Sequence, residues 1–407
     1  MFDVIVVGKG LMGVAAWRSI TETTANAAVI GPDEPAHYAT HTGVFASHYD
    51  EGRLVGRIGK DRVWAGLITR SMNDFHDIEE RSGVSFYDPR GRLVVAEHLH
   101  ERLSALHDVE RTLGIRQDRL DRAALARRFP LLTFPASYSA VFEPAPAGLL
   151  RPRQLLAAQL ALGQKQGGTI IREEVHAIHR RRDRLVAVTS SGRRYEARRV
   201  LIAAGAFTNC YGLAPAQLAI RVKSEVTLLA EVSNDERTRL RELPTLTYAI
   251  ASAGLAGIYL TPPLQYPDGR WYLKIGCDTA TDQRLPDLPA MRDWMRRGSQ
   301  DEMPAAMRAA LLAFMPTLDV RSWQRRPCLV TYTSHGKPFI DQLDEHLFVA
   351  TGGNGGAAQC SCTLGELAAR LVLEQPWPDA FLRQDFGVRY VDDPGLTTER
   401  YDRLGVM

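Results

Sequence analysis

The N-terminal segment Asp3-Val4-Ile5-Val6-Val7-Gly8-Lys9-Gly10-Leu11-Met12-Gly13 constrains this chain more than any other stretch. A run of β-branched residues ending in Gly-x-Gly-x-x-Gly reads as a strand, a tight turn and the start of a helix. A helix-like stretch follows, and a second short apolar run closes at Ile30-Gly31. In such a unit Gly8 permits the turn, Gly10 lets backbone approach a pyrophosphate, and Gly13 lets helix pack on strand. The helix N-terminus offers free N–H groups and a partial positive charge to phosphate. Glycine triplets also occur in ordinary turns. It is the strand–turn–helix–strand order that marks a dinucleotide site, with Leu11 and Met12 beside the glycines.

At 407 residues the chain can bury a large core in one or two domains. Lysine plus arginine number 50 and aspartate plus glutamate 47, a net charge of only +3. That argues against binding nucleic acid through phosphate neutralisation. The runs Arg180-Arg181-Arg182 and Arg325-Arg326 read as solvated surface. The five cysteines (210, 277, 328, 360 and 362) show neither a disulfide framework nor zinc-site spacing. The first strand begins too early to leave room for a signal peptide, and no apolar stretch approaches membrane-spanning length. The expectation is a cytoplasmic protein, monomeric or a small homo-oligomer.

Beyond the first unit, Pro32 to Gly56 is a long polar loop, and loops of that length are usually functional or disordered. Helical patterns cover 60–82, 99–114, 122–129, 152–166 and 289–315. Strand patterns cover 91–96, 169–172, 185–188 and 199–206, and four more lie at 225–232, 246–251, 257–261 and 271–277. A last strand, 347–350, leads through a glycine-rich loop to a helix over 365–374. Alternating α/β pattern, a strand-rich block and a return to α/β pattern predict two interleaved domains.

Four separated segments together resemble the D-amino-acid-oxidase-like flavoenzymes, within them most the monomeric sarcosine oxidase and N-methyltryptophan oxidase branch. They are the glycine turn; Val200-Leu201-Ile202-Ala203-Ala204-Gly205-Ala206-Phe207; Cys328 to Thr333 with Phe339-Ile340-Asp341; and Gly352-Gly353-Asn354-Gly355-Gly356 leading into Gly365-Glu366-Leu367. The resemblance implies an α/β fold: a glutathione-reductase-like FAD-binding domain (1–80, 140–215 and 325–400) and a mixed-sheet substrate domain (81–139 and 216–324). It implies FAD held by Gly8, Gly10, Leu11, Met12, Gly13, Asp33, His41, Thr42, Val175, Ala204, Gly205 and the 352–356 loop. It further implies a thioether from Cys328 to the flavin. Taken without that context, a lone cysteine is most often a small buried hydrophobe. Cys360-Ser361-Cys362 are expected at most to line the site.

The amides of loop 352–356 are expected to face the flavin pyrimidine edge, where reduction places negative charge. Lys274 stands in the apolar strand Trp271–Gly276. There it either snorkels to the surface or, as the resemblance implies, lies over the flavin and promotes reaction with oxygen. The implied reaction is oxidation of a C–N bond in a secondary or cyclic amine or amino acid, giving an imine and hydrogen peroxide. A dehydrogenase with another electron acceptor and a non-catalytic FAD-binding subunit of a larger oxidase are the alternatives.

The sequence also departs from the family pattern. The acidic residue that normally contacts the adenosine ribose falls at Gly31, with Asp33 or Glu34 the nearest replacements. The branch's two carboxylate-binding cations fall, by counting, at Ala46 and Gln359. A site built to pair a carboxylate would leave it unsatisfied without them, so a specialised substrate is expected. His48, Tyr49, Arg221, Tyr259 and Gln359 are the candidates for lining the substrate pocket.

Overall fold

The structure, a computed structural model, describes residues 1–393 except positions 38, 39, 42, 105, 253, 280 and 299–302. Two eight-stranded sheets organise it. In the first, Phe2–Val7 lies between Ala27–Ile30 and Arg194–Ile202, parallel to both. Thr169–Ile171 extends one side in parallel and Leu347–Thr351 the other. The antiparallel strands Val175–Arg180, Leu185–Thr189 and Phe339–Gln342 complete the sheet. A central parallel strand is covered on both faces, which is why it reads as an unbroken apolar run. Val4 and Val6 face one core with Trp17, Leu364 and Leu367, and Ile5 and Val7 face another with Ile30, Val200 and Phe339.

The helix Leu11–Thr21 packs against the helix Ser361–Val372 so closely that a Cβ at Gly365 would lie 2.4 Å from the Ala15 Cβ. Two helices some 340 residues apart in the sequence therefore meet beneath one sheet.

The second sheet runs in the order Ser322–Thr333, Ile220–Val232, Trp271–Thr279, Leu255–Gln265, Thr245–Ser252, Arg92–Glu97, Tyr138–Glu143, Asp118–Leu120. All its pairings are antiparallel except Thr245–Ser252 with Arg92–Glu97. It joins two segments, 92–143 and 220–333, that the sequence separates by 76 residues. The strands Tyr138–Glu143 and Ser322–Thr333 cross the expected boundaries at 140 and 325. A small third sheet, Arg53–Val55 with Gly148–Leu150 and Tyr87–Asp88, holds the end of the long N-terminal loop.

Two expected helices are divided. The 289–315 pattern becomes Leu288–Arg297 and Met303–Phe314. Gly298, at φ +65°, ends the first, and Pro304 sits in the first turn of the second. The 99–114 pattern becomes Leu99–Ser104 and His107–Thr112. A continuous helix would point Val109 away from Leu103; the break lets both join one apolar cluster with Ile115. The final helix begins at Ser361, earlier than expected, after a short 3-10 turn over Ala357–Cys360.

Candidate functional site

A cavity of about 1620 Å³ runs between the two sheets, beyond the ~300–1,000 Å³ typical of small-ligand pockets. One end is built by the first strand–helix turn. Gly8, at φ +117°, lies against backbone: a Cβ there would be 2.2 Å from the Ala203 carbonyl oxygen. A Cβ at Gly13 would be 2.0 Å from the Gly8 carbonyl oxygen, so Gly13 serves packing and does not line the cavity. At Gly10 nothing lies within 4 Å of a Cβ position. Gly10 is also the helix N-cap and carries no side-chain cap, so the first N–H groups of the helix open beside the cavity-lining Gly10, Leu11 and Met12. An open cradle with free helix amides is what a pyrophosphate requires, so these residues fit the ADP half of FAD.

Val175, Ala204 and Gly205 line the same region. The missing acidic partner has a steric reason: a Cβ at Gly31 would lie 2.6 Å from both the Cβ and the backbone nitrogen of Lys9. Lys9 occupies that space, and its ammonium pairs with Asp33, which also accepts from Arg172 at 2.8 Å. Asp33 and His41 do not line the cavity; Glu34 does, held by Arg153 at 2.8 Å. His41 Nδ1 accepts the Gly43 N–H at 3.2 Å. Thr42 lies outside the described residues.

At the other end, Gly353, Asn354, Gly355 and Gly356 line the cavity, whereas Gly352 turns at φ +81° against Thr333. Asn354 fixes the loop: its Oδ1 accepts the Thr333 N–H at 2.9 Å and its own N–H reaches the Thr331 carbonyl at 2.7 Å. Cys328 is half-buried and is the one cysteine of the cavity wall among the described residues. Burial pushes its thiol up, opposed by Arg53 and Lys274. Cys360 and Cys362 are buried behind the wall, and only Ser361 between them reaches it. Arg325 and Arg326, expected on solvated surface, also line the cavity, because their strand continues along its edge.

Lys274 does not snorkel. It is fully buried (0% exposed), just behind the wall, and its ammonium donates to Asp50 at 2.6 Å and to the Gly52 carbonyl. Burial and the nearby Arg53 hold its proton affinity well below the usual lysine range. Asp50, which lines the cavity, also pairs with Arg53 and accepts from Tyr266 at 2.7 Å.

Tyr259 lines the cavity and donates to Glu225 Oε1 at 3.2 Å. Burial pushes the Glu225 carboxyl up to about 7, with Lys223 opposing. Lys223 is itself engaged by Asp278 and, at 2.6 Å, by Asp282. Of the other substrate candidates, Tyr49 and Gln359 line the cavity, as does Ala46, where the missing arginine was expected. His48 and Arg221 do not; burial pushes the His48 imidazole down to about 3, so it is neutral. Sequence reasoning missed Glu225, Arg92 and Lys60, all in the wall. The available signal was a charge interrupting a strand pattern, as in Val222-Lys223-Ser224-Glu225-Val226.

Comparison with known proteins agrees with this architecture. The chain is 24% identical over 384 residues to monomeric sarcosine oxidase of Bacillus sp. (strain B-0618), covering 91% of this chain and 92% of the relative. It is 29% identical over 224 residues to N-methyl-L-tryptophan oxidase of Salmonella arizonae, covering 53% of this chain and 55% of that protein. The fold is shared with NikD, described as an unusual amino acid oxidase essential for nikkomycin biosynthesis. The TM-score is 0.76 at 19% identity, over 96% of this chain and 98% of that one. The sequence profile described as FAD dependent oxidoreductase matches residues 3–371. With a cradle that fits FAD and a match over most of its length, the chain belongs to the family of FAD-dependent oxidoreductases.

Proposed function

We propose that this enzyme oxidises a C–N bond in a secondary or cyclic amine or amino acid, with dioxygen as final electron acceptor and hydrogen peroxide as product. The observation that carries the reading is one continuous cavity joining the phosphate cradle at Gly8–Leu11 to the glycine loop 353–356, walled by Cys328, Tyr259 and Glu225. The amine and amino acid oxidations for which monomeric sarcosine oxidase, N-methyl-L-tryptophan oxidase and NikD are named support the same class. Bound FAD supplies the acceptor for the two electrons leaving the C–H bond beside nitrogen.

The chain's own residues prepare the reaction. The first sheet with its helices forms the FAD unit, and the second sheet, with Tyr138–Glu143 and Ser322–Thr333 whole within it, the substrate unit. Helix amides at Gly10–Met12 would hold pyrophosphate, and in the glycine loop, where the Asn354 and Gly356 N–H groups are bonded to backbone carbonyls, the amides of Gly353 and Gly355 would be the donors for the negative charge of reduction. Cys328 is the covalent anchor. Lys274, oriented by Asp50, places positive charge where electrons pass to oxygen. Glu225 takes the proton of the substrate ammonium, because only a neutral amine releases hydride readily.

A substrate panel tests the reading: secondary and cyclic amines, with and without a carboxylate, in air, with peroxide detection. At least one member is expected to yield peroxide in proportion to amine consumed. Turnover only with an artificial electron acceptor would contradict the oxidase assignment. The Glu225 role has its own signature. Its carboxyl is ionised above about pH 7 and protonated below, so kcat/KM is expected to fall on the acid side of about 7. Glu225→Gln should lower kcat/KM roughly 10²-fold and remove that limb. A limb that persists in the variant assigns the proton acceptor elsewhere.

A further inference from the structure

Just behind the cavity wall, beside Glu225, one ammonium is held by two carboxylates. Lys223 and Glu225 stand two apart on the strand Ile220–Val232, so their side chains leave the same face. Glu225 reaches the cavity; Lys223 is buried and does not. The Lys223 ammonium donates to Asp278, and to Asp282 at 2.6 Å.

The two aspartates come from different elements, and the fold places each. Asp278 belongs to the strand Trp271–Thr279 and lines the cavity. Asp282 lies in the turn that follows, where it accepts the Thr279 N–H at 3.0 Å and the Thr279 hydroxyl at 2.8 Å. That turn is laid along the strand of Lys223. The Ser224 N–H donates to the Gln283 carbonyl at 2.9 Å, the Gln283 N–H to Ser224 Oγ at 2.7 Å, and the Leu285 N–H to the Val222 carbonyl at 2.9 Å. Burial opposes the Lys223 charge, but Tyr332 and Asp278 outweigh it and push the ammonium above the usual lysine range, so it stays protonated.

The other described groups around Glu225 do not supply that charge. Tyr259 lies across Gly276, where a Cβ would fall 2.2 Å from its hydroxyl oxygen, and brings a neutral O–H to the carboxyl at 3.2 Å. Burial pushes up the Cys328 thiol, opposite Glu225 in the strand register, and the Tyr332 phenol, so both stay neutral. Lys274, 5.3 Å from the Tyr259 ring centre, is committed to Asp50 and the Gly52 carbonyl, and Arg53 also pairs with Asp50. Asp278 and Asp282 left alone would hold the proton on Glu225, because like charges favour the neutral carboxyl.

We propose that Lys223 is the positioning residue of the proton acceptor: clamped by Asp278 and Asp282, its ammonium offsets their charge and keeps the Glu225 carboxylate free to take a proton. This rests on the amine-oxidation reading, which gives Glu225 that task, but Lys223 itself touches no substrate.

The test is an infrared pH titration of the flavin-loaded protein, following the carboxylic-acid C=O band that disappears in Glu225→Gln. In Lys223→Met the midpoint is expected to rise by about one pH unit or more, since a positive charge is lost and two negative ones are uncovered. Lys223→Arg keeps the charge and should stay within about half a unit of the parent. Asp282→Asn removes a negative charge and should move the midpoint the other way, down by about half a unit. It leaves Lys223 in place, so it carries the test if Lys223→Met does not fold. A purely structural role would not reverse sign between the two variants. An unchanged midpoint in Lys223→Met, an equal rise in Lys223→Arg, or a rise in Asp282→Asn overturns the proposal. The acid limb of kcat/KM should move with the band. A band that moves while the limb stays supports the action of Lys223 on Glu225 and removes Glu225 as the proton acceptor of the amine, so the two readings fail separately.

Discussion

Gly8→Ala is expected to yield a protein that retains no FAD and is destabilised by about 3 kcal/mol or more. The new Cβ would meet the Ala203 carbonyl oxygen at 2.2 Å and its carbon at 2.5 Å. That backbone cannot yield, because the Ala203 N–H is bonded to the Val7 carbonyl at 2.7 Å within the sheet. The φ of +117° adds strain that only glycine avoids. Displacing the turn also displaces the helix N-terminus that faces phosphate. Gly10→Ala separates the two effects. Its Cβ meets nothing within 4 Å and its φ of −89° suits any residue. It should fold with stability within about 0.5 kcal/mol of the parent yet bind FAD more weakly, because the methyl group occupies the cradle. The flavin-to-protein absorbance ratio and urea midpoints of both variants check this. Equal flavin content in Gly10→Ala and the parent would show that the cradle is not where the pyrophosphate lies.

The second large effect concerns Cys328. Acid precipitation of the wild-type protein is expected to leave the yellow colour on the pellet; from Cys328→Ser all flavin should pass to the supernatant. Among the described residues the thiol makes one hydrogen bond, a weak one to the Leu329 carbonyl at 3.8 Å, so serine should alter stability by no more than about 1 kcal/mol. Cys360→Ser is the control: that side chain is buried outside the wall and should leave attachment unchanged. Complete release of flavin from the wild-type protein would remove Cys328 as anchor.

These two positions were legible in the sequence for different reasons. Gly8 belongs to a local pattern, strand and glycine turn, whose geometry follows from nearest neighbours. Cys328 stood out only through resemblance, and its strand was not recognised, since Arg325, Arg326 and Pro327 hide an apolar alternation. Glu225, Lys60 and Arg92 escaped because the face that meets the cavity depends on register between strands far apart in sequence. Arg92, for instance, pairs with Glu143 on one side and Thr245 on the other. No local periodicity reports which edge of such a sheet borders a cavity. Gly31 could be read as a departure, but its cause, the Lys9 side chain lying against it, needed three dimensions.

The central claim is that the cavity holds FAD and passes electrons from an amine to oxygen. Anaerobic mixing of the flavin-loaded protein with the best amine of the panel tests it most directly. The account predicts that the oxidised flavin absorbance bleaches, with one imine formed per flavin, and that admitting air restores the colour with one peroxide per flavin. Flavin that stays oxidised with every amine of the panel would contradict it.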